Sequence, residues 1–402
     1  MPIDEDLLTF PFPAPPPEGF EPPEEFSRLR ESAPVSRVTL PTGDRAWLLT
    51  RYADVRQALV DPRLSRAAAE RPGAPRMGNT SPGPRTILGM DPPDHSRLRR
   101  LVMQAFTARR VEALRPRIQQ LADEQAGLVL VAPHPVDLMS CFALSLPIKV
   151  IFELLGVPYE DCDRLHAWSE VIFSLGGHTR EEVGEARGSI VGYLRDLIAN
   201  RREKPTDDLL GVLVHARDEG QSLSEEELLD FAMILMTVGH QSTSNSLGIA
   251  LFTLLQHPEQ LDLLRRKPEL VPGAVEELLR HNPFVFTGTQ LRVATEDLEI
   301  GGVTVRAGEA VIAALGSANH DEEIFADPGR FDVERTPNVH LSFGYGVHHC
   351  LGAQLARLEM RIALRTLIEK LPDTLRLAVP VEWLTWKTGL TARALANLPV
   401  TW

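Results

Sequence analysis

Along most of the chain, apolar residues return every three or four positions, the period of helices that bury one face. The clearest run starts at Ser224, where Ser224-Glu225-Glu226-Glu227 has the form of a capping box and apolar positions continue at helical spacing until His257-Pro258. This predicts one helix of roughly 32 residues, about 48 Å long. Ordinary globular helices are roughly a third of that length, so it is expected to cross the centre of the molecule. Its middle, Val238 to Asn245, reads VGHQSTSN, a polar block with a glycine inside an apolar element. Such a block weakens a helix and predicts a local opening that turns hydroxyl and amide groups toward a ligand; a kinked core helix satisfied by water is the structural alternative.

Helical periods also fill Arg109 to about Arg217, broken at Pro133-His134-Pro135, Pro158 and Gly176-Gly177, with no repeat of fixed length. Twice the pattern shortens to alternation. Val38 and Leu40 before Thr42-Gly43-Asp44, then Trp47 and Leu49, predict a hairpin within Val35 to Arg51, followed by a short helix ending near Asp61-Pro62. Thr295 to Leu315 alternates around Gly301-Gly302 and Gly308 as a small meander. Ala67 to Gly89, rich in Gly, Pro, Arg and Ser, has no period and predicts a long loop facing substrate, with a surface insert as the alternative. Beyond it, SRLRRLVMQAF predicts a helix with Leu98, Leu101, Val102 and Phe106 on one face and Arg97, Arg99 and Arg100 along its edge. The proline-rich residues 1–25 are expected to lie extended over the surface before the first helix. The pattern is that of a mainly α protein with small β-sheets, read as a single domain over 1–402.

Composition narrows the partners. With 402 residues, 43% hydrophobic and 24% charged, the chain is globular and large enough to bury a cofactor. A net charge of -13 argues against nucleic acid or an anionic membrane as the main partner. No stretch approaches a membrane span, and the N-terminus carries acids and prolines where a signal peptide would be basic and then apolar. The cysteines Cys141, Cys162 and Cys350 lie far apart with no paired spacing, which suggests neither a disulfide framework nor a zinc knuckle and fits a reducing cytosol. Cys141 and Cys162 read as small buried or half-buried residues.

Cys350 differs, because it lies in FGYGVHHCLG, Phe343 to Gly352, which runs straight into AQLARLEMRIALRTLIEKL. A thiolate in a glycine-rich turn at a helix start suits an axial ligand of haem iron, since backbone N–H groups stabilise the anionic sulfur. A zinc site from His340, His348, His349 and Cys350 is the rival, and adjacent residues rarely converge on one ion. Upstream, VEELLRHNP sets Glu277 and Arg280 three apart on one helical face, and Arg335 is a candidate third member of a buried network.

The order of these features resembles the cytochrome P450 family from the hairpin to the C-terminus, and its soluble bacterial class in particular. Phe343, Gly346, His348, Cys350 and Gly352 match the family's F-x-x-G-x-[HR]-x-C-x-G; Glu277-x-x-Arg280 matches its E-x-x-R, with Arg335 as the third member of that triad. The resemblance implies a P450 fold with a long central helix over haem b. It makes Cys350 the proximal thiolate with Phe343 beside it, lets Gly346 and Gly352 bring the backbone near haem, and gives the propionates to His95, Arg99, Arg292 and His348. The triad would support the loop. The family's small-Gly-x-acid-Thr-Thr becomes Val238-Gly239-His240-Gln241-Ser242-Thr243 here, so Gln241, Ser242 and Thr243 are the catalytic candidates. Ser242 keeps a hydroxyl; Gln241 cannot shuttle a proton as a carboxylate does, which leaves proton delivery to Ser242, Thr243 or held water.

Substrate contacts by the same resemblance come from Arg85 to Leu88, from Ile234, Val238 and Ser242, from Val285 to Thr289, and from Thr388 to Leu390; His240 and Arg85 are available for a polar group. These positions suit a hydrophobic small molecule of secondary metabolism. The implied activity is a cytoplasmic monooxygenase that uses dioxygen and two external electrons, with hydroxylation first and oxidative coupling or desaturation as the alternative. A non-catalytic haem sensor is the remaining reading. With no flavin or ferredoxin module in the sequence, electrons are expected from a ferredoxin and its reductase, docked through Arg97, Arg99 and Arg100.

Overall fold

The computed structural model describes residues 8–12, 22–78, 83, 85–173, 178–218, 223–282, 290–387 and 394–402. The helices in chain order are α1 (Glu24–Ser32), α2 (Tyr52–Val60), α3 (Arg66–Ala69), α4 (Asp94–Met103), α5 (Ala108–Ala113), α6 (Arg115–Val131), α7 (Ser145–Leu154) and α8 (Cys162–Phe173). They continue as α9 (Arg180–Glu203), α10 (Leu209–Asp218), α11 (Glu225–Gln256), α12 (Pro258–Arg266), α13 (Val271–His281), α14 (Leu315–Ala318) and α15 (Ala353–Lys370). Strands are short: β1 (Val35–Thr39), β2 (Arg45–Leu49), β3 (Leu64–Ser65), β4 (Val136–Asp137) and β5 (Arg292–Ala294). The rest are β6 (Leu298–Ile300), β7 (Val303–Val305), β8 (Ala310–Ala313), β9 (Arg376–Leu377) and β10 (Pro399–Thr401). Mainly helical with small sheets, the chain divides into two compact units.

Among the described residues, the first unit takes the chain up to Ser96 and then Pro272–Cys350. Its sheet has the order β1-β2-β8-β5-β3. The hairpin pairs Val35 with Leu49 through Thr39 with Arg45, turning at Gly43, whose φ of 86° only glycine adopts readily. The expected meander is corrected. Only β6 and β7 form a hairpin, about Gly301 and Gly302, while β8 lies between β2, to which it is parallel, and β5. The reason is burial on both faces: all of Ala310 to Ala313 is covered, and an apolar run without alternation belongs in the middle of a sheet. Trp47, Leu49, Val55, Leu59, Leu64, Val311, Phe325 and Leu341 belong to its core, each fully buried large side chain contributing about 1.5–3 kcal/mol.

Two further expectations change in this unit. The loop expected from Ala67 starts later, because Arg66–Ala69 is the helix α3, capped by Ser65, whose hydroxyl accepts the Ala68 N–H at 2.7 Å. Residues 8–12 do not simply lie over the surface: Thr9 bridges Thr39, and Phe10 and Phe12 are buried edge-to-face against each other and against Phe26. Apolar rings override the proline-rich composition around them.

The second unit takes Arg97–Val271, Leu351 to 387 and Ala394–Trp402 of the described chain. α11 runs 32 residues as expected, and both halves of its capping box are made, Ser224 Oγ accepting the Glu227 N–H at 3.2 Å and the Ser224 N–H donating to Glu227 Oε2 at 2.8 Å. The polar block does not open it. The helix is continuous through Val238 to Asn245, since Thr237 Oγ1 donates to the Met233 carbonyl at 2.7 Å and Ser242 Oγ sits 3.5 Å from the Val238 carbonyl, within the helix itself. Gly239 serves packing instead. A Cβ there would lie 3.0 Å from Ile151 on α7, and one at Gly248 would collide with the Met139 thioether of the π-helical segment Met139–Leu144. Of the expected breaks, α6 ends at Val131 before Pro133 and α7 at Leu154 before Pro158, whereas Gly176-Gly177 lies outside the described residues. Cys162 is buried and Cys141 half-buried, neither in a disulfide.

Candidate active site

The cysteine loop is built in the first unit by straps from α13 and α14. Asn319, just beyond α14, accepts the Leu341 N–H at 2.7 Å and donates to Ser342 Oγ at 2.8 Å, while Ser342 Oγ donates to the Leu279 carbonyl at 2.7 Å. The loop closes where the Cys350 N–H meets the Phe343 carbonyl at 2.8 Å. Gly344 and Gly346 have φ of 71° and 72°, which lets the chain double back. At Gly346 a Cβ would also lie 2.9 Å from the Leu59 carbonyl, so in this structure the missing side chain admits α2; at Gly352 a Cβ would meet nothing within 4 Å. Cys350 ends the turn exposed, and Phe343 is half-buried with its ring 6.3 Å from His349. His340 is held by Glu276 at 3.1 Å and by the Ser342 N–H, which removes it from any zinc site with Cys350.

Behind the loop, Glu277 and Arg280 are both fully buried in a two-point ion pair at 2.7 and 2.8 Å. Arg335 donates to Glu277 at 3.0 Å, and Asn338 to its other oxygen at 3.0 Å. Arg280 spends its remaining nitrogen on the Asn319 and Pro328 carbonyls at 2.9 Å, which joins this network to the residue that straps the loop. Every lone pair and proton of the pair has a use, the condition under which a buried ion pair is tolerated.

Polar groups gather elsewhere in the same unit. His95 is buried with its ring 4.2 Å from that of His348, and Arg292 is buried on β5. Arg66, which sequence reasoning passed over, is buried too. Burial above all, and then the Arg292 charge, push Arg66 down to about 9; burial likewise brings Arg292 down to about 10. Nε and Nη2 of Arg292 and Nε of Arg66 are buried with no partner among the described residues. Buried donors left unmatched are costly, so this cluster fits an anion such as a haem propionate. Arg99 belongs to the second unit and is half-buried.

In the second unit, a partly accessible stripe in the middle of α11 carries Ile234, Val238, Gln241 and Ser242 at helical spacing, with Met233, Gly239 and Ser246 also partly accessible. Gln241 Oε1 is buried without a partner among the described residues, and Thr243 is buried. His240 does not belong to the stripe. Two residues past Val238, it points about 200° around the helix, where it is fully buried with Nε2 3.2 Å from His166 Nδ1 on α8 and its ring 5.8 Å from Phe152. Burial first, then His166, push its pKa down to about 3. His240 is therefore not available to a substrate as expected. Arg97 is corrected as well: it pairs with Glu227 in the first turn of α11 and is no free docking cation. Of the residues expected to meet substrate, Arg85 is exposed and Leu88 half-buried, while Val285, Thr289 and Leu390 lie outside the described residues.

This fold, with a thiol-bearing loop on a polar scaffold, is that of a haem-dependent oxygenase. The model of the family Cytochrome P450 matches residues 21–372. The chain is 47% identical to the mycinamicin IV hydroxylase/epoxidase of Micromonospora griseorubida, with 94% of each covered, and 47% identical to the nocardicin C N-oxygenase of Nocardia uniformis subsp. tsuyamanensis, again over 94% of each. Among solved structures it matches the cytochrome P450 hydroxylase of the leinamycin biosynthetic pathway of Streptomyces atroolivaceus at a TM-score of 0.91 and 46% identity, covering 98% of this chain and 100% of that one. The chain belongs to the cytochrome P450 family. It is a monooxygenase whose cofactor is haem and which takes electrons from redox partners. No helix among the described residues is long and apolar enough to cross a membrane.

Proposed function

We propose that this enzyme hydroxylates a hydrophobic small molecule in a secondary-metabolite pathway, that the whole chain works as one P450 domain, and that it does so in the cytoplasm. The observation carrying the substrate class is the accessible stripe of α11, where Ile234 and Val238 present apolar surface beside the polar Gln241 and Ser242. The haem, held through Cys350, supplies two-electron activation of dioxygen. Phe343 shields the thiolate, and His95, Arg99, Arg292 and His348 hold the propionates. Gln241 orients water by its amide and Ser242 donates a hydroxyl proton; neither can act as the carboxylic acid that the family pattern places at 241. The Glu277, Arg280 and Arg335 network fixes the loop without touching substrate.

Oxidative coupling or desaturation is the second reading, favoured by Gln241, since weaker proton delivery would leave substrate oxidation without oxygen insertion. Electrons come from a ferredoxin and its reductase, and with Arg97 engaged by Glu227 and Arg99 given to a propionate, the exposed Arg100 is the docking cation on α4. A type I spectral-shift screen of macrolide and peptide secondary metabolites tests the substrate class. It is followed by product analysis with NAD(P)H, a ferredoxin and a reductase. A hydroxylated product 16 mass units heavier supports the first reading, a product 2 units lighter the second, and tight binding without any turnover would sink both.

A further inference from the structure

The pairing of β3 with β5 sets Leu64 against Ala294 and Ser65 against Val293, so the next step along brings Arg66 opposite Arg292. Both are more than nine-tenths buried, at 7% and 3% exposure. Asp91 is the carboxylate nearest to hand, and its oxygens already accept from the Ser65 hydroxyl, from the Arg66 N–H at 3.0 Å and from the Ala67 N–H at 3.2 Å. Arg66 Nη1 donates to the Leu88 carbonyl at 3.1 Å and lies 3.4 Å from Gln290 Oε1; Arg292 Nη1 lies 3.4 Å from the Leu64 carbonyl. None of those acceptors on the guanidinium groups carries a charge. Two buried cations against one anion that already accepts three other hydrogen bonds leave an excess positive charge, with Nε and Nη2 of Arg292 and Nε of Arg66 unmatched among the described residues. Such an arrangement is stable only if a further anion completes it.

We propose that Arg66 and Arg292 together form a carboxylate-binding cradle, and that Arg66 is a second guanidinium holding a haem propionate. This rests on the haem reading of the site and adds to it a residue outside the family's motif positions. A planar carboxylate accepts from two forks at once, which a water or a carbonyl does not do with comparable strength. The tether from Arg66 to Leu88 and Gln290 would then couple cofactor seating to the segment proposed to face substrate.

The test uses the haem-loaded enzyme and its Arg66→Gln and Arg66→Lys variants. Gln keeps an N–H for the Leu88 carbonyl but loses the charge; Lys keeps the charge. Haem transfer to apomyoglobin is expected to be about tenfold faster or more in Arg66→Gln. The reduction potential is expected to become more negative, because a lost positive charge disfavours the added electron, and Arg66→Lys is expected to restore most of both. Spectral titration with dodecanoic acid and with its methyl ester forms the second arm. Unchanged haem transfer and potential, with dodecanoate binding lost and ester binding kept, would assign the carboxylate to substrate and overturn the propionate assignment. Variants unchanged in all of these would overturn the cradle itself. If Arg66→Gln does not fold, the Lys variant decides: haem loss faster than wild type with the potential kept, as expected when the charge stays but the two-point fork is lost, supports the cradle, and haem loss at the wild-type rate rejects it. The carbon-monoxide difference spectrum of the wild type reports haem-thiolate ligation separately, so failure of that reading is seen independently.

Discussion

Glu277 and Arg280 are three apart on α13 and fully buried, so their pairing is not the exposed helix contact worth tenths of a kcal/mol that the spacing alone would suggest. Removing one partner strands the other charge in the interior. Arg280→Ala is expected to cost about 3–5 kcal/mol, read as a lower unfolding midpoint by circular dichroism together with loss of the thiolate-type Soret band. A variant within experimental error of wild type would remove the network from the account of the loop. At Gln241 the effect expected is chemical. With a carboxylate at that position, Gln241→Glu should raise product formed per NAD(P)H and lower peroxide release, and equal values in both proteins would show that the amide does not limit proton delivery.

At the scale of elements, glycines separate two physical causes that a motif merges. Gly344 and Gly346 share a left-handed backbone, but a Cβ at Gly344 comes no closer than 3.8 Å to anything, whereas at Gly346 it meets the Leu59 carbonyl at 2.9 Å and Val60 Cγ1 at 3.0 Å. Gly344→Ala should therefore cost only the backbone conformation, about 1 kcal/mol, and Gly346→Ala about 1–3 kcal/mol more. Thermal melts of both variants check this, and equal losses would deny that α2 is seated by Gly346. In α11, Gly239 likewise explains why the polar block is tolerated: the turn that is weakest by propensity is clamped by α7.

At the scale of the molecule, each unit holds a pair of histidines whose surroundings favour the neutral ring. Burial is the first cause of the lowered pKa at His166 and His240 in the second unit and at His281 and His320 in the first. The unfolded chain protonates these rings below about 6.5. Their contribution is thus complete above that pH and is lost as pH falls through 6.5 toward the lower folded values. Glu359, raised well above its usual value by burial, has the opposite sense: its contribution is complete below about 4.5 and declines as pH rises through the folded value. The thermal midpoint is expected to drop between pH 7 and pH 5, and His240→Phe should shallow that drop whatever it does at pH 7. An unchanged slope would show that His240 is not among the groups responsible.

What sequence alone determined was everything that depends on neighbours within a few residues: the cap-to-cap length of α11, the hairpin, the helix after Cys350 and the E-x-x-R spacing. Local geometry suffices there, because period and capping decide which side chains share a face. Tertiary structure decided what those faces meet. It turned His240 onto His166, gave Arg97 to Glu227, placed β8 between distant strands and brought Arg66 opposite Arg292. These outcomes depend on desolvation and on partners far along the chain, and neither has a period that the sequence can display. The loop around Cys350 was legible from its own ten residues, whereas the buried cations Arg66 and Arg292 came together only once β3 and β5 were paired.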